Sequence, residues 1–117
     1  MTAELLDTYY EGIAKKAGWE KPLSDTIRFV SRTSTSDGKA AFVEATTRFL
    51  RAVKSATRKE TLIDGDTACV WVNYELVSPK GSRTKQDVLE IWKTERDGRL
   101  TSCTIYFDTA AFRAFMA

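Results

Sequence analysis

Few residue types in this chain can carry out acid–base or nucleophilic chemistry, because it contains no histidine. Ser-His-Asp triads, Cys-His pairs and histidine metal sites are therefore excluded. A reactive site must be built from carboxylates, Tyr, Lys, Arg, Asn, Gln or Cys. We interpret Glu90 as a proton donor or base and Asp108 as its electrostatic partner. Tyr10 or Asn73 would donate a hydrogen bond to a substrate oxygen.

Each of these candidates has a structural alternative. Glu90 could instead pair with a lysine or arginine at the rim of a sheet. Asp108 precedes the segment 109–111 and can cap a helix through its side chain. Tyr10 belongs to an apolar helical stripe, where a tyrosine commonly packs in the core with its hydroxyl group hydrogen-bonded. The sequence leaves these alternatives open.

Length and composition predict one ordinary globular domain over residues 1–117. The chain has 18 Lys and Arg, 16 Asp and Glu, and 43% hydrophobic residues. A net charge of +2 does not indicate a nucleic-acid surface, and no segment is long and apolar enough to cross a membrane. The first residues lack a secretory pattern, and Cys69 and Cys103 lack Cys-x-x-Cys spacing. We therefore expect a cytoplasmic protein with two buried thiols, no nucleic-acid or membrane partner and no metal.

The order of elements predicts an α+β fold. A helix capped by Thr2 and ended by Gly18 comes first, and a second helix, capped by Ser36 or Asp37, carries Phe42 and Phe49. A strand over Thr26–Ser31 and a polar loop separate the two helices. The basic series Arg48, Arg51, Lys54 and Arg58 has near-helical spacing and reads as a solvated helix face. After Ser55 the pattern has period two, with strands over Thr57–Ile63, Thr67–Val77, Ser82–Thr94 and Arg99–Phe107, and a short helix follows Asp108.

The hairpin turns predict which residues share a face of the sheet. A four-residue turn pairs Val77 with Ser82, and a three-residue turn over 96–98 pairs Glu95 with Arg99. Trp71 then faces Val88, Cys69 faces Glu90, and Glu90 faces Thr104. The resulting mixed aromatic and polar face resembles a small-molecule chamber. It comprises Trp71, Asn73, Glu75, Gln86, Val88, Glu90, Trp92, Thr104, Tyr106 and Asp108.

The opposite face is predicted to be almost wholly apolar. It carries Val70, Val72, Tyr74, Leu76, Leu89, Ile91, Cys103, Ile105 and Phe107. Such a surface is too large to leave in water on a monomer. We therefore expect a homodimer through the outer face of the sheet.

The final hairpin and helix resemble the SnoaL-like branch of the nuclear-transport-factor-2-like superfamily. The resemblance rests on the element order, Glu90-x-Trp92, Asp97-Gly98 and the run Tyr106-Phe107-Asp108-Thr109-Ala110-Ala111-Phe112. It implies a conical barrel in which a strongly bent, antiparallel-rich sheet wraps round N-terminal helices, with a short C-terminal helix and a deep pocket. Ketosteroid isomerases, polyketide cyclases and noncatalytic domains share this fold, and homodimers through the outer sheet face are common.

The resemblance also implies roles for individual residues. Glu90 matches the protonated aspartate of the oxyanion hole of ketosteroid isomerases, and Tyr10 lies near their oxyanion tyrosine. Phe29 falls at the position of their catalytic base, so we count it as a substrate-binding residue, and steroid-type isomerisation is not favoured. Polyketide cyclases of this type use a histidine, which this chain lacks.

These observations lead to two hypotheses. The chain could be a cofactor-free acid–base isomerase, cyclase or hydrolase that acts on a small apolar metabolite, with Glu90, Asp108 and Tyr10 in catalytic roles. Alternatively, it could be a noncatalytic ligand-binding or dimerisation domain of the same fold. In either case the residues expected to bind the small molecule are Trp71, Asn73, Gln86, Val88, Trp92, Tyr106 and Phe29.

Overall fold

A computed structural model of the chain, which describes residues 1–95 and 98–117, contains three helices and one mixed sheet. The helices are α1 (Ala3–Lys15), α2 (Lys39–Leu50) and α3 (Thr109–Met116). The strands are β1 (Leu23–Val30), β2 (Thr35–Asp37), β3 (Val53–Asp64), β4 (Thr67–Val77), β5 (Arg83–Thr94) and β6 (Leu100–Tyr106). The α+β prediction is confirmed. No helix within the described ranges is long and apolar enough to cross a membrane.

The sheet has the order β2-β1-β6-β5-β4-β3, and it does not close. Strands β3 to β6 form an antiparallel meander, and β1 pairs in parallel with β6. Strand β2 lies inside the segment predicted as a polar loop. Strand β3 begins at Val53, so Lys54 and Arg58 belong to a strand and the expected helical basic face does not form.

Helices α1 and α2 pack on the inner face of the sheet, where the hydrophobic core lies. Tyr9 of α1 and Phe42 of α2 both contact the fully buried Trp92 ring, with centroid separations of 4.6 and 6.2 Å. Gly12 brings α1 against the following loop, since an added Cβ there would lie 2.4 Å from the backbone nitrogen of Trp19. The core therefore fixes α1, and with it Tyr9 and Tyr10, against strand β5.

The ends of the first two helices differ from the sequence prediction. Helix α1 ends at Lys15, and Lys16 rather than Gly18 adopts the left-handed conformation of the C-cap (φ 60°). Thr2 occupies the N-cap position without a side-chain hydrogen bond, and the N-cap of α2 is Gly38 rather than Ser36 or Asp37. Both helices therefore depend on core packing more than on their caps.

The predicted pairing of β4 with β5 is wrong by one residue. The backbone N–H of Ser78 donates to the carbonyl of Ser82 (2.8 Å), and the Ser78 hydroxyl accepts from the N–H of Ser82 (3.1 Å). Ser78 and Ser82 therefore extend the hairpin, and a three-residue turn remains in which Gly81 has a φ of 86°. Val77 consequently faces Arg83 instead of Ser82.

The pairing of β5 with β6 is also shifted. Thr94 faces Leu100, as the predicted Glu95–Arg99 pairing requires, but Lys93 faces Ser102, so an irregularity leaves Thr101 unpaired. Glu90 then faces Ile105 instead of Thr104. The predicted turn residues Arg96 and Asp97 lie outside the described residues.

Because of these two shifts, the side chains of β4 and β6 lie on the faces opposite to the predicted ones, whereas those of β5 keep their predicted faces. Strand β4 directs Val70, Val72, Tyr74 and Leu76 into the core. The outer face instead carries Trp71, Leu89 and Tyr106, which are 40%, 45% and 47% exposed. These three residues are direct neighbours across strands β4, β5 and β6, and we call them the outer row. Of the apolar residues expected on the outer face, only Leu89 and the partly exposed Ile91 lie there.

Candidate functional site

A cavity of about 200 Å³ lies between the two packed helices and the inner face of the sheet. Most of its wall is apolar. The apolar lining residues are Ile13, Phe29, Phe42, Ala45, Phe49, Val88, Ile105, Phe107 and Phe112. The polar lining residues are Ser31, Thr33, Ser34, Thr46, Tyr74, Gln86 and Glu90, with Tyr9 and Cys103 beside them. An apolar chamber with a few polar groups is the usual form of a small-molecule site.

Among the described residues that line the cavity Glu90 is the one carboxylate, and it is only 7% exposed. The hydroxyl group of Tyr10 donates to Oε1 of Glu90 at 2.6 Å, and that of Tyr74 donates to Oε2 at 3.0 Å. The indole Nε1–H of Trp92 donates to the Tyr10 oxygen at 2.8 Å. Tyr74 lines the cavity whereas Tyr10 and Trp92 do not, so the Tyr74 side of the carboxyl group faces the cavity.

Burial raises the pKa of Glu90 from 4.5 to about 7. The hydrogen bonds from Tyr10 and Tyr74 lower this pKa, but they offset only part of the cost of desolvating the charge. Among the described residues, no cation forms an ion pair with Glu90. The group therefore changes its protonation state near neutral pH.

The neighbouring titratable groups stay protonated. Burial, followed by the negative charge of Glu90, raises the pKa values of Tyr9, Tyr10 and Tyr74 well above their ordinary value. The same two causes raise the pKa of the Cys103 thiol. Tyr10 and Tyr74 therefore keep their hydroxyl protons, and Glu90 is the group that exchanges protons.

Arg58 lies behind this network. Its Nη2 donates to Oδ1 of Asp7 at 2.7 Å, and its guanidinium carbon lies 5.3 Å from the centroid of the Tyr10 ring. The cation stacks on the tyrosine that donates to Glu90, so it supports the position of that ring without touching the carboxyl group.

The structure places four of the predicted site residues in the cavity: Glu90, Gln86, Val88 and Phe29. Tyr10 and Trp92 are buried directly behind Glu90, where Tyr10 is a hydrogen-bond donor to it. Tyr10 thus contacts the carboxyl group instead of a ligand in the cavity.

Four other placements are corrected. Asp108 is exposed and caps α3, with its Oδ1 accepting from the N–H of Ala111 at 2.9 Å, so it is not beside Glu90. Trp71, Asn73 and Tyr106 lie on the outer face because of the register shifts described above. Trp71 and Asn73 both donate to Oδ1 of the exposed Asp87. These two hydrogen bonds lower the pKa of Asp87, and the hydrogen bond from Asn73 has the larger effect.

Sequence reasoning missed Tyr74, Asp7 and Arg58. Tyr74 belongs to the row of every second residue of β4 that also contains Val70, Val72 and Leu76. A half-exposed sheet buries the face that carries such an apolar row. That alternation could have placed Tyr74 in the interior. Nothing in the sequence pattern brings Asp7 and Arg58, 51 residues apart, into contact.

Cys69 and Cys103 are free, as expected, although only Cys103 is fully buried. Within residues 1–95 and 98–117, no group of three or more cysteines and carboxylates is placed to hold a metal ion.

Comparison with solved structures identifies the fold. An NTF2-like protein from Burkholderia pseudomallei superposes with a TM-score of 0.89 at 15% identity, over 100% of this chain and 99% of that one. TerC, co-crystallised with polyporic acid, gives 0.85 at 22% identity over 97% and 95% of the two chains. A putative SnoaL-like polyketide cyclase from Jannaschia sp. CCS1 gives 0.84 at 12% identity over 97% and 89%.

No protein-family model and no curated protein sequence matches the chain. At these levels of identity the solved structures establish the fold alone. The predicted resemblance is confirmed at that level, and the chain has the nuclear-transport-factor-2-like fold, whose members above include a SnoaL-like protein.

Proposed function

We propose that the chain binds a small, largely apolar metabolite in the cavity and that Glu90 exchanges a proton with it. This is the chemistry of a cofactor-free isomerase, cyclase or hydrolase. One observation carries the proposal: a buried carboxyl group with a pKa of about 7 lies in the wall of an apolar cavity. General acid–base catalysis is most effective when the pKa of the group lies near the operating pH.

The hydrogen bonds around Glu90 indicate which of its oxygens would take the proton. Because Trp92 donates to the Tyr10 oxygen, the Tyr10 proton is directed to Oε1 of Glu90. The other oxygen, Oε2, contacts Tyr74 on the cavity side. A proton taken from the ligand would therefore arrive at Oε2. Tyr74 would then turn its hydroxyl group so that its oxygen accepts a hydrogen bond from the protonated Oε2.

A noncatalytic binding function is the second candidate, and a specific observation favours it. Both oxygens of Glu90 already accept hydrogen bonds from Tyr10 and Tyr74, and Asp108 is too exposed to act with it. No second carboxylate lies among the described residues that line the cavity. Under this hypothesis a ligand binds and is released unchanged.

Exchange of deuterium into 2-tetralone distinguishes the two functions. This bicyclic ketone has an acidic C–H group beside its carbonyl and a body of the size of the cavity. Ionised Glu90 would take a proton from that carbon and, after exchange with solvent, return a deuteron. We expect the wild type in D₂O to accelerate the exchange, with a rate that rises through a pH of about 7. NMR spectroscopy follows the exchange.

Three variants complete the experiment. Glu90→Gln should lose the acceleration, whereas Glu60→Gln, which alters an exposed strand carboxylate, should retain it. Ala45→Phe, which adds a phenyl group to the cavity wall, should prevent binding. Binding of 2-tetralone without accelerated exchange would support the noncatalytic function. Unchanged exchange in Glu90→Gln would refute the role of Glu90.

We also propose that two copies of the chain associate through the outer face of the sheet. The outer row presents three large apolar side chains that are 40–47% exposed and adjacent across the strands. Leu62, which is 61% exposed and pairs with Cys69 of β4, adds apolar surface on β3. Contiguous apolar surface of this kind marks an interaction site on a folded protein.

A further inference from the structure

A second, more open depression adjoins the cavity at its mouth. This mouth groove has a volume of about 510 Å³ and lies between the loop that contains Thr33 and helix α3. Thr33, Phe107 and Phe112 line both the cavity and the groove, so the two spaces lie next to each other. A molecule longer than the cavity that passes between these three residues would lie partly in the cavity and partly in the groove.

The charged side chains that line the two spaces have opposite signs. Glu90 is the one acidic or basic side chain among the described residues that line the cavity, and Arg113 is the one in the mouth groove. An anionic group placed in the cavity would be repelled by ionised Glu90 and would lose its hydration. At the mouth the same group would meet a cation and remain in contact with water.

Arg113 is available for such a contact. It is exposed, and within the described part of the chain its side chain makes no hydrogen bond or ion pair. Helix α3 holds it in place: Phe112 packs against the core, and Gln86 donates to the carbonyl of Asp108 at 3.0 Å. A guanidinium group binds carboxylate and phosphate oxygens through paired N–H donors.

We propose that the ligand is an elongated organic anion whose ring-sized apolar body occupies the cavity and whose carboxylate or phosphate group binds Arg113 in the mouth groove. This inference rests on the proposed ligand-binding function and adds the substrate class and its orientation. The part of the ligand that meets Glu90 is then the end opposite its anionic group. Arg113 determines specificity and takes no part in proton transfer.

Matched probes test the inference. The anion 2-naphthylacetate and the neutral alcohol 2-(2-naphthyl)ethanol share one apolar body, and isothermal titration calorimetry at low ionic strength measures their affinities. We expect the wild type to bind the anion about fivefold more tightly than the alcohol, as for a partly exposed ion pair. Added salt should reduce this preference. Arg113→Gln should abolish it and leave the affinity for the alcohol unchanged.

Arg48→Gln is the control for a general loss of charge. Arg48 and Arg113 both lie in the last turn of a helix, so each substitution has a similar effect on the helix dipole, but Arg48 lines neither space. Arg48→Gln should keep the fivefold preference. Equal affinities in the wild type, or a preference that survives Arg113→Gln, would overturn the inference while leaving the binding function intact. If neither probe binds the wild type, the binding function fails as well.

Discussion

Replacing Glu90 with glutamine should change how the stability of the protein depends on pH. Burial raises the pKa of Glu90 from 4.5 to about 7 in the folded state. Between these two values the native state holds more protons than the unfolded state, so the free energy of unfolding falls as the pH rises. The full interval corresponds to about 3 kcal/mol at 1.36 kcal/mol per pH unit. The wild type therefore loses this stability between about pH 4.5 and pH 8.

Glutamine resembles the protonated carboxyl group and carries no charge at any pH. Its amide oxygen can accept from Tyr10, while its NH₂ group faces the Tyr74 hydroxyl, at a cost of about 1 kcal/mol that does not vary with pH. The difference in unfolding free energy between Glu90→Gln and the wild type should thus shift in favour of the variant by about 3 kcal/mol from pH 4.5 to pH 8.5.

Urea denaturation at several pH values measures this difference. The exposed Glu60→Gln variant is the control, and its difference from the wild type should vary by much less. A difference for Glu90→Gln that stays constant across the range, as for an exposed glutamate, would refute the raised pKa and the reasoning based on it.

Three further predictions concern the surroundings of the site and the outer face. Tyr10→Phe and Tyr74→Phe should each raise the pKa of Glu90, Tyr10→Phe by more, because each hydroxyl group lowers it; a fall in either variant, measured by NMR titration, would contradict this. Asp108→Ala should destabilise the protein by about 1 kcal/mol in urea denaturation through loss of the helix cap, and should leave the pKa of Glu90 unchanged; a shifted pKa would return Asp108 to the site. The wild type should have twice the chain mass in light scattering and Leu89→Lys should be monomeric; a monomeric wild type would contradict the proposed dimer.

Much of the fold could be predicted from the sequence because its patterns are local. Helical spacing identified α1 and α2, and period-two alternation identified the meander, since both follow from the backbone geometry of short segments. The burial of Glu90 was also foreseeable. Val88, Glu90 and Trp92 are two residues apart on one strand, so their side chains must lie on the same face.

The faces of the neighbouring strands could not be obtained in the same way. Side chains alternate between the two faces of a strand, so a register error of one residue puts every side chain on the wrong face. Because the sequence prediction treats Ser78 as a turn residue, it places Trp71 and Asn73 in the cavity instead of on the outer face. The prediction also has no unpaired residue at Thr101, and it therefore places Tyr106 in the cavity instead of on the outer face. The backbone and side-chain hydrogen bonds inside each hairpin decide such details, and composition and spacing do not report them.

The ion pair between Asp7 and Arg58 and the hydrogen bond between Tyr74 and Glu90 depend on the same tertiary arrangement. Each joins two elements whose relative position is set by the core and the register together. The sequence prediction consequently places Tyr74, whose hydroxyl group donates to Glu90 on the cavity side, on the outer face. The sequence could nominate the acid, but it could not supply its partners.

Glu90 should titrate near neutral pH inside the cavity, and its side-chain carboxyl resonance tests this most directly. In protein labelled with ¹³C at the glutamate carboxyl carbons, the signal absent from Glu90→Gln identifies the group. The structure predicts that this signal titrates with a pKa of about 7. A signal that titrates near the ordinary value of 4.5 would contradict the account.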